Sequence, residues 1–552
     1  MKHKKLLLGS ILLLGFCLNV YGIWWGLPSR WCVDEPVAAV LKMLAEGSIV
    51  PANDYYHPTL HYFFMMIFIL PVLMVMKLIS YPLNAVAHAA SVSWIYLSNT
   101  DPNFCNLIYI AARLSSVFAA VAIVYVGWLM AKKCYSEKAG LFTAAFLSVT
   151  MGFVSQAHTA KSTMLVVLLV MLSIFFCIKF YGTSGVKKYI VPFFTGGLAI
   201  AAKYSGGIIL LPLGYYLFEL LKGEDKRIKK AAMAFISLAI GILAGFPAII
   251  FKFSEYISAA GYYKARYVPD SAGSSIPLFF SGLLGYLNMV KDILGLPLFI
   301  LVIMGIIYSI LKTRFDLPKR LILLVTVPYY LIFSFNPKLF EIKYIILIVP
   351  FLVILASGIS ENIFKADKIR RGVFLVTAVF VWAGAFLYSL ACCDIYARSD
   401  IRYAATEWIE KNVPSDERIV ILGMPEWVVH NRLFKDRDVT FINNEGRKFD
   451  RMYNRRFVRG QQHDITEDEL KNLTAQINGG ADMVVVYPVF IMQDRLNVAA
   501  DTVIKESHGI DLAREEVLKE FRVKGRSFFW NPNLGGYEPS KVVIAKNSKK
   551  EK

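Results

Sequence analysis

The feature that most constrains this chain is a succession of apolar runs. They begin near residues 6, 59, 107, 139, 162, 189, 204, 231, 293, 321, 342 and 372, and most are long enough to cross a hydrocarbon core of about 30 Å. Such runs leave two options for the backbone in lipid, a helix or a closed barrel, and unbroken runs of this length suit only the helix. The chain is therefore read as a polytopic α-helical membrane protein of about 11–13 helices. Its composition agrees: of 552 residues, 56% are hydrophobic and 18% charged, and the mean hydropathy is +0.50.

The net charge of +19 is unevenly spread. Residues 394–552 hold 26 basic and 25 acidic side chains, so the first 393 hold 34 and 16. A basic excess confined to the apolar part marks membrane-flanking loops and argues against a nucleic-acid partner. The seven cysteines show no CxxC or CxxH spacing and carry no zinc or redox signature.

Basic clusters at Lys132/Lys133/Lys138, Lys179/Lys187/Lys188, Lys222 to Lys230, Lys312 to Arg320 and Lys365 to Arg371 are read as cytoplasmic loops. Residues 6–25 form an uncleaved first helix, since no small-x-small cleavage site precedes Trp24 and Trp25; the N-terminus is then cytoplasmic. Parity requires residues 59–79 to lie juxtamembrane or re-entrant on the outer side, which leaves about eleven crossings. Residues 189–221 must cross twice, with a turn near AAKYSGG that carries Lys203. Domain 1–393, with an outer first loop at 26–108, precedes an extracytoplasmic α/β domain at 394–552. There DIRYAATEWIEKNV has helical spacing up to Pro414, and RIVILG, DVTFIN and MVVVYPV read as buried strands.

With the sides so assigned, polar residues gather on the outer side: Asp34 and Glu35, His57 and His61, Arg113, His158 and Lys161, Lys203 and Tyr204, Lys264 and Arg266, Lys338, Glu341 and Lys343. Carboxylates among several cations at a lipid boundary suit a site that holds a lipid phosphate and deprotonates a group beside it. Other roles compete. Asp34 could cap a helix ahead of Pro36, and His57 could cap one ahead of Pro58. His57 and His61, at H-x3-H spacing, could with Asp34 bind zinc or manganese. Lys203 could snorkel to headgroups.

The order DE with a following amphipathic helix, then HPTLHYFF, AARLSSVFAAVAIVYV, AKYSGGIILLP and KYIILIVP resembles the C-type integral-membrane glycosyltransferases. Within them it is similar to the family 39-like branch of protein O-mannosyltransferases and lipid A aminoarabinose transferases. The resemblance implies a hexose or pentose moved from a polyprenyl-phosphate-linked donor to an acceptor hydroxyl on a protein, lipid or glycan, at the outer face of the plasma membrane. It implies Asp34 as general base with Glu35 beside it, and His57, Arg113, Lys161, Lys203, Tyr204 and Lys343 as donor-binding groups. Pro212 stands at the family's proline, and Lys343-Tyr344 stands where the family usually has Arg-Tyr, before a run ending at Pro350. One departure is plain: the family commonly has a second Asp where this chain reads Ser162 and Thr163, so a divalent metal stays open and none is assigned. A lipid-phosphate leaving group needs no protonation, so one base and a cationic cradle suffice for an inverting displacement. The alternatives are a transporter or flippase of an anionic lipid, without covalent chemistry, and a family member that only scaffolds a complex.

Overall fold

A computed structural model describes residues 2–27, 34–51, 57–79, 101–267, 276–312, 316–335, 341–360, 367–398, 400–422 and 437–442. It also describes positions 472 and 475 and the strands at 455–458, 461–464, 483–490, 515–522 and 539–547. The chain divides into two compact units. The first comprises Met1–Ile23, Asp34–Ser91 and Leu107–Cys393; the second comprises Trp24–Val33, Val92–Asn106 and Asp394–Lys552.

The first unit is helical. In order come α1 (Lys2–Val20), the short amphipathic α2 (Val37–Glu46), α3 (Leu60–Leu78), α4 (Pro102–Cys134), α5 (Glu137–Ser148), α6 (Met151–Ala157), α7 (Ser162–Phe180) and α8 (Lys187–Ala202). A 3-10 turn at Tyr204–Ile209 leads into α9 (Leu210–Leu221), then α10 (Arg227–Gly245), α11 (Ala248–Phe251) and α12 (Phe253–Tyr267). The unit continues with α13 (Ile276–Leu294), α14 (Leu296–Lys312), α15 (Leu317–Ser334) and α16 (Ile342–Ile345). A second 3-10 turn at Ile346–Ile348, α17 (Val349–Ala356) and α18 (Lys368–Ala397) complete the helical series. About two-thirds of the most apolar stretch of α4 and of α7 is buried, so these two form the middle of the bundle. On α3 and α18, Ile67, Met74, Val376 and Phe380 are exposed, as apolar side chains that face lipid must be.

Among the described residues eight helices are long and apolar enough to cross a membrane, or up to ten if each of two bent pairs is one span. The apolar runs alone suggested about eleven crossings. The difference has a length argument behind it: α8 has 16 residues, about 24 Å at 1.5 Å per residue, and Ile342–Ala356 is equally short. Residues 60–78 form a continuous 19-residue helix, α3, long and apolar enough to cross, where charge parity along the sequence suggested a juxtamembrane or re-entrant run.

Two features set up the site. Helices α8 and α10 touch at glycine: a Cβ on Gly197 would lie 2.2 Å from the Leu238 carbonyl oxygen, and one on Gly241 would lie 2.2 Å from that of Phe194. Backbones this close gain packing that larger side chains forbid, the usual basis of helix association in lipid. The α5–α6 pair bends by 55°, and the Val149 carbonyl at the bend accepts a bond from Ser389 Oγ at 2.7 Å, so the break leaves no unsatisfied oxygen there.

The second unit is α/β. Helix α19 (Ile401–Asn412) starts at Asp400, whose carboxylate accepts from the Arg402 backbone N–H at 2.9 Å, and stops ahead of Pro414. A seven-stranded mixed sheet follows in the order β4-β3-β2-β1-β5-β7-β6. Its strands are β1 (Ile419–Leu422), β2 (Asp438–Ile442), β3 (Arg455–Val458), β4 (Gln461–Asp464), β5 (Met483–Phe490), β6 (Glu515–Arg522) and β7 (Pro539–Asn547). β1 pairs in parallel with both β2 and β5, and Ile419, Val420, Ile421, Val439 and Val484 are buried at this centre. The three central strands are the three apolar runs read from the sequence, as expected where both faces are covered.

Candidate active site

The segment after α1 presents two adjacent carboxylates with opposite surroundings. Glu35 is fully buried and forms a bidentate pair with Arg113 of α4: Nε donates to Oε1 at 2.7 Å and the second guanidinium nitrogen to Oε2 at 2.9 Å. The Ala160 backbone N–H donates to the same Oε1 at 2.7 Å, and the remaining guanidinium nitrogen donates to the Ile23 carbonyl at 2.7 Å. One ion pair thus ties together the end of α1, the start of α2, the middle of α4 and the α6–α7 link. Planar bidentate geometry with added backbone bonds is what lets a buried charge pair persist. Both residues were expected to meet substrate, and both side chains are buried.

Asp34 is turned outward, with 41% of its side chain exposed. Its Oδ2 accepts from Lys161 Nζ at 3.3 Å and from Lys343 Nζ at 3.0 Å. Lys343 also pairs with Glu341 Oε2 at 2.8 Å. Pro36 holds the N-cap position of α2. Lys203 completes the group within electrostatic reach of Lys343, Lys161, Asp34 and Glu341. It occupies an extended residue (φ −164°, ψ 141°) between α8 and the 3-10 turn, outside the spans. Burial first, then the ammonium groups of Lys343 and Lys161, pull Lys203 from its ordinary value down to about 8.

Local chemistry fixes that turn. The Gly206 N–H donates to the Lys203 carbonyl at 2.8 Å, and a Cβ on Gly206 would lie 2.2 Å from the Ala199 carbonyl oxygen. Tyr204, the next residue after Lys203, is exposed. Lys161 precedes α7, whose first two residues, Ser162 and Thr163, are buried. No carboxylate stands there, and the side chain sent from this corner toward Asp34 is the Lys161 ammonium.

The two histidines of HPTLH take other parts. His61 is buried in α3, with Nε2 3.2 Å from the Ala160 carbonyl and Nδ1 without a hydrogen-bond partner. His57 lies close enough to His61 for their charges to interact. His57 does not cap α3: Thr59 holds that position, and its hydroxyl donates to the Gly245 carbonyl at 3.1 Å. Among the described residues no group of three or more His, Cys, Asp or Glu could hold a metal ion, so Asp34, His57 and His61 do not combine as the ligand set the sequence left open. Two ammonium groups on Asp34 Oδ2 also disfavour a cation there. Lys264 and Arg266 lie in α12, and Lys338 falls outside the described residues.

Some contributors had no role assigned from the sequence. His158 is buried with Nδ1 2.7 Å from the Val154 carbonyl and Nε2 2.9 Å from the Tyr21 carbonyl, a clamp between α6 and the end of α1. The Ala160 N–H that serves Glu35 is a backbone group and has no sequence signal. Glu341 showed only as another outer-side charge, yet it shares Lys343 with Asp34.

In the first unit, carboxylates and ammonium groups thus gather where Asp34, Lys161 and Lys343 meet. The fold is that of the C-type integral-membrane glycosyltransferases. ArnT from Cupriavidus metallidurans bound to undecaprenyl phosphate is similar at a TM-score of 0.51, with 13% identity over 99% of this chain and 98% of that one. The Archaeoglobus fulgidus oligosaccharyltransferase in complex with Zn and sulfate is similar at a TM-score of 0.52, with 12% identity over 94% and 72%. The oligosaccharyltransferase AglB from the same organism, with an inhibitory peptide and a dolichol-phosphate, has a TM-score of 0.50 and 10% identity over 88% and 69%. More particularly, residues 108–251 match the family model described as dolichyl-phosphate-mannose-protein mannosyltransferase. That segment runs from α4 to α11 and contains Arg113, Lys161 and Lys203. No curated protein sequence matches the chain.

Proposed function

We propose that this protein transfers a hexose or pentose from a polyprenyl-phosphate-linked donor to an acceptor hydroxyl, with Asp34 as general base and Lys161, Lys203 and Lys343 as the cradle for the donor phosphate. The observation that carries the reading is the outward-facing Asp34 carboxylate held by the recessed Lys161 and Lys343, with Lys203 within electrostatic reach. In the reaction the acceptor O–H proton passes to Asp34 as the oxygen forms its bond to the anomeric carbon. The bond from that carbon to the phosphate oxygen breaks, and its electron pair leaves on polyprenyl phosphate, whose charge the lysines stabilise. A lone displacement inverts the anomeric centre. The match to a mannosyltransferase model across Lys161 and Lys203 supports the reading, as do polyprenyl phosphates bound to ArnT and AglB.

The orientation belongs to the same proposal. Lys188, Glu224 and Lys230 form an ion-pair cluster joining the start of α8, the α9–α10 loop and the start of α10, while Lys203 lies at the other end of α8. Basic clusters at the end remote from Asp34 suit a cytoplasmic side, which puts the site and residues 394–552 outside the plasma membrane and the N-terminus within. The test is sugar release from a labelled polyprenyl-phosphate-sugar panel by purified protein in lipid, for wild type, for Asp34→Asn and with chelator. Release that Asp34→Asn abolishes and chelator spares is the expected result. No donor consumption with a broad acceptor mixture would overturn the reading.

A further inference from the structure

The carboxylate best placed to act as base is also the one already engaged. Lys161 and Lys343 converge on a single oxygen of Asp34, and an oxygen held by two ammonium groups accepts a further proton poorly. Exposure is unequal across the cluster: Asp34 is 41% exposed, but Lys161 and Lys343 are only 7% and 17% exposed. An anion entering the site therefore meets recessed cations whose carboxylate partner Asp34 is the more exposed member of each pair.

We infer that Asp34 is masked in the empty protein and that the donor phosphate unmasks it, by replacing the Asp34 carboxylate as the anionic partner of Lys161 and Lys343. This inference rests on the reading that these lysines hold a phosphate. It makes donor binding the event that frees the base, so an acceptor arriving first meets a carboxylate unable to take its proton. Because coupling between two sites is reciprocal, the masking carboxylate must itself weaken phosphate binding.

That consequence separates this role from a simpler one. A carboxylate that helps hold the donor sugar weakens binding when lost, whereas one that competes with the phosphate for Lys161 and Lys343 tightens binding when neutralised. The experiment uses the full chain in lipid nanodiscs with undecaprenyl phosphate as the probe, comparing wild type with Asp34→Asn, Asp34→Ser, Glu341→Gln and the double variant Lys161→Met/Lys343→Met. Asp34→Asn and Asp34→Ser are expected to tighten the dissociation constant by about 5–30-fold, within the usual range of coupling between sites, while sugar transfer is lost. Glu341→Gln, which releases Lys343 from its second partner, gives a smaller tightening in the same direction. Unchanged or weaker binding in both Asp34 variants, with wild type and the lysine double variant differing as expected, overturns the inference alone. Failure of the lysine double variant to weaken binding overturns the phosphate cradle, and the inference with it.

Discussion

Asp34 and Glu35 are neighbours in sequence and unlike in circumstance, and the difference settles how each responds to substitution. Replacing Arg113 by Met strands the Glu35 charge inside the protein. Removing one partner of a buried pair costs about 3–5 kcal/mol, so the variant should lose much of its thermal stability in detergent. Folding, read as the melting temperature, is the measurement; a melting curve like wild type with impaired phosphate binding would instead make Arg113 a substrate contact. Asp34→Asn leaves the exposed surface intact and should melt like wild type, but lower turnover by roughly 10²–10⁴-fold, the usual worth of a general base. Lys203 supplies a pH test. With its value lowered to about 8, it carries charge below that pH and loses it above. Affinity for a polyprenyl phosphate should therefore fall as pH rises through about 8, and Lys203→Arg should move the fall to higher pH. The sequence showed that these positions carry charge, but the division of labour between Asp34 and Glu35 depends on Arg113, 78 residues away, and on a backbone N–H at Ala160. No pattern of residue types records that.

At the scale of elements, the site depends on a kink that a glycine permits. Gly206→Ala would press a Cβ into the Ala199 carbonyl, so the backbone must shift and carry Lys203 with it. The expected outcome is weaker phosphate-lipid binding with a smaller loss of stability, compared by titration and by thermal melting. The AAKYSGG turn was readable because glycines and a lysine interrupt an apolar run. The side of the membrane given to residues 59–79 came from parity of the flanking loops, and a charge bias constrains loops without measuring the helix, whose length is that of a crossing. In the α/β unit, β1, β2 and β5 stood out as apolar runs. β6 did not: EEVLKEFR places Val517, Leu518 and Phe521 at helical spacing, and its pairing with β7 passes through an irregularity between Val517 and Lys519. Edge strands owe their form to the neighbour they pair with, and their own composition is a poor guide.

At the scale of the whole molecule, the distribution of charge along the bundle is the orienting feature. Lys188, Glu224 and Lys230 close one end, and Asp34, Lys161, Lys203 and Lys343 gather at the other. A membrane-impermeant maleimide added to intact cells should label Ile49→Cys, beside α2, and should reach Asp225→Cys only after permeabilisation. The opposite pattern would reverse the orientation proposed above. The class of fold was legible from the order of motifs, because each marks a turn at the same end of the bundle. Their convergence was not, since it joins residues from helices far apart in the chain.

Lys343 reaches Asp34 across 309 positions of sequence. At a synthesis rate of about 5–20 residues per second, the ribosome adds Lys343 about 15–60 s after Asp34. For that interval the growing chain holds its carboxylate without one of the two cations that later grip it. Neither an interrupted translation product nor an amino-terminal fragment can assemble the centre, and supplying the missing helices as a separate polypeptide is the route by which such a fragment would be completed.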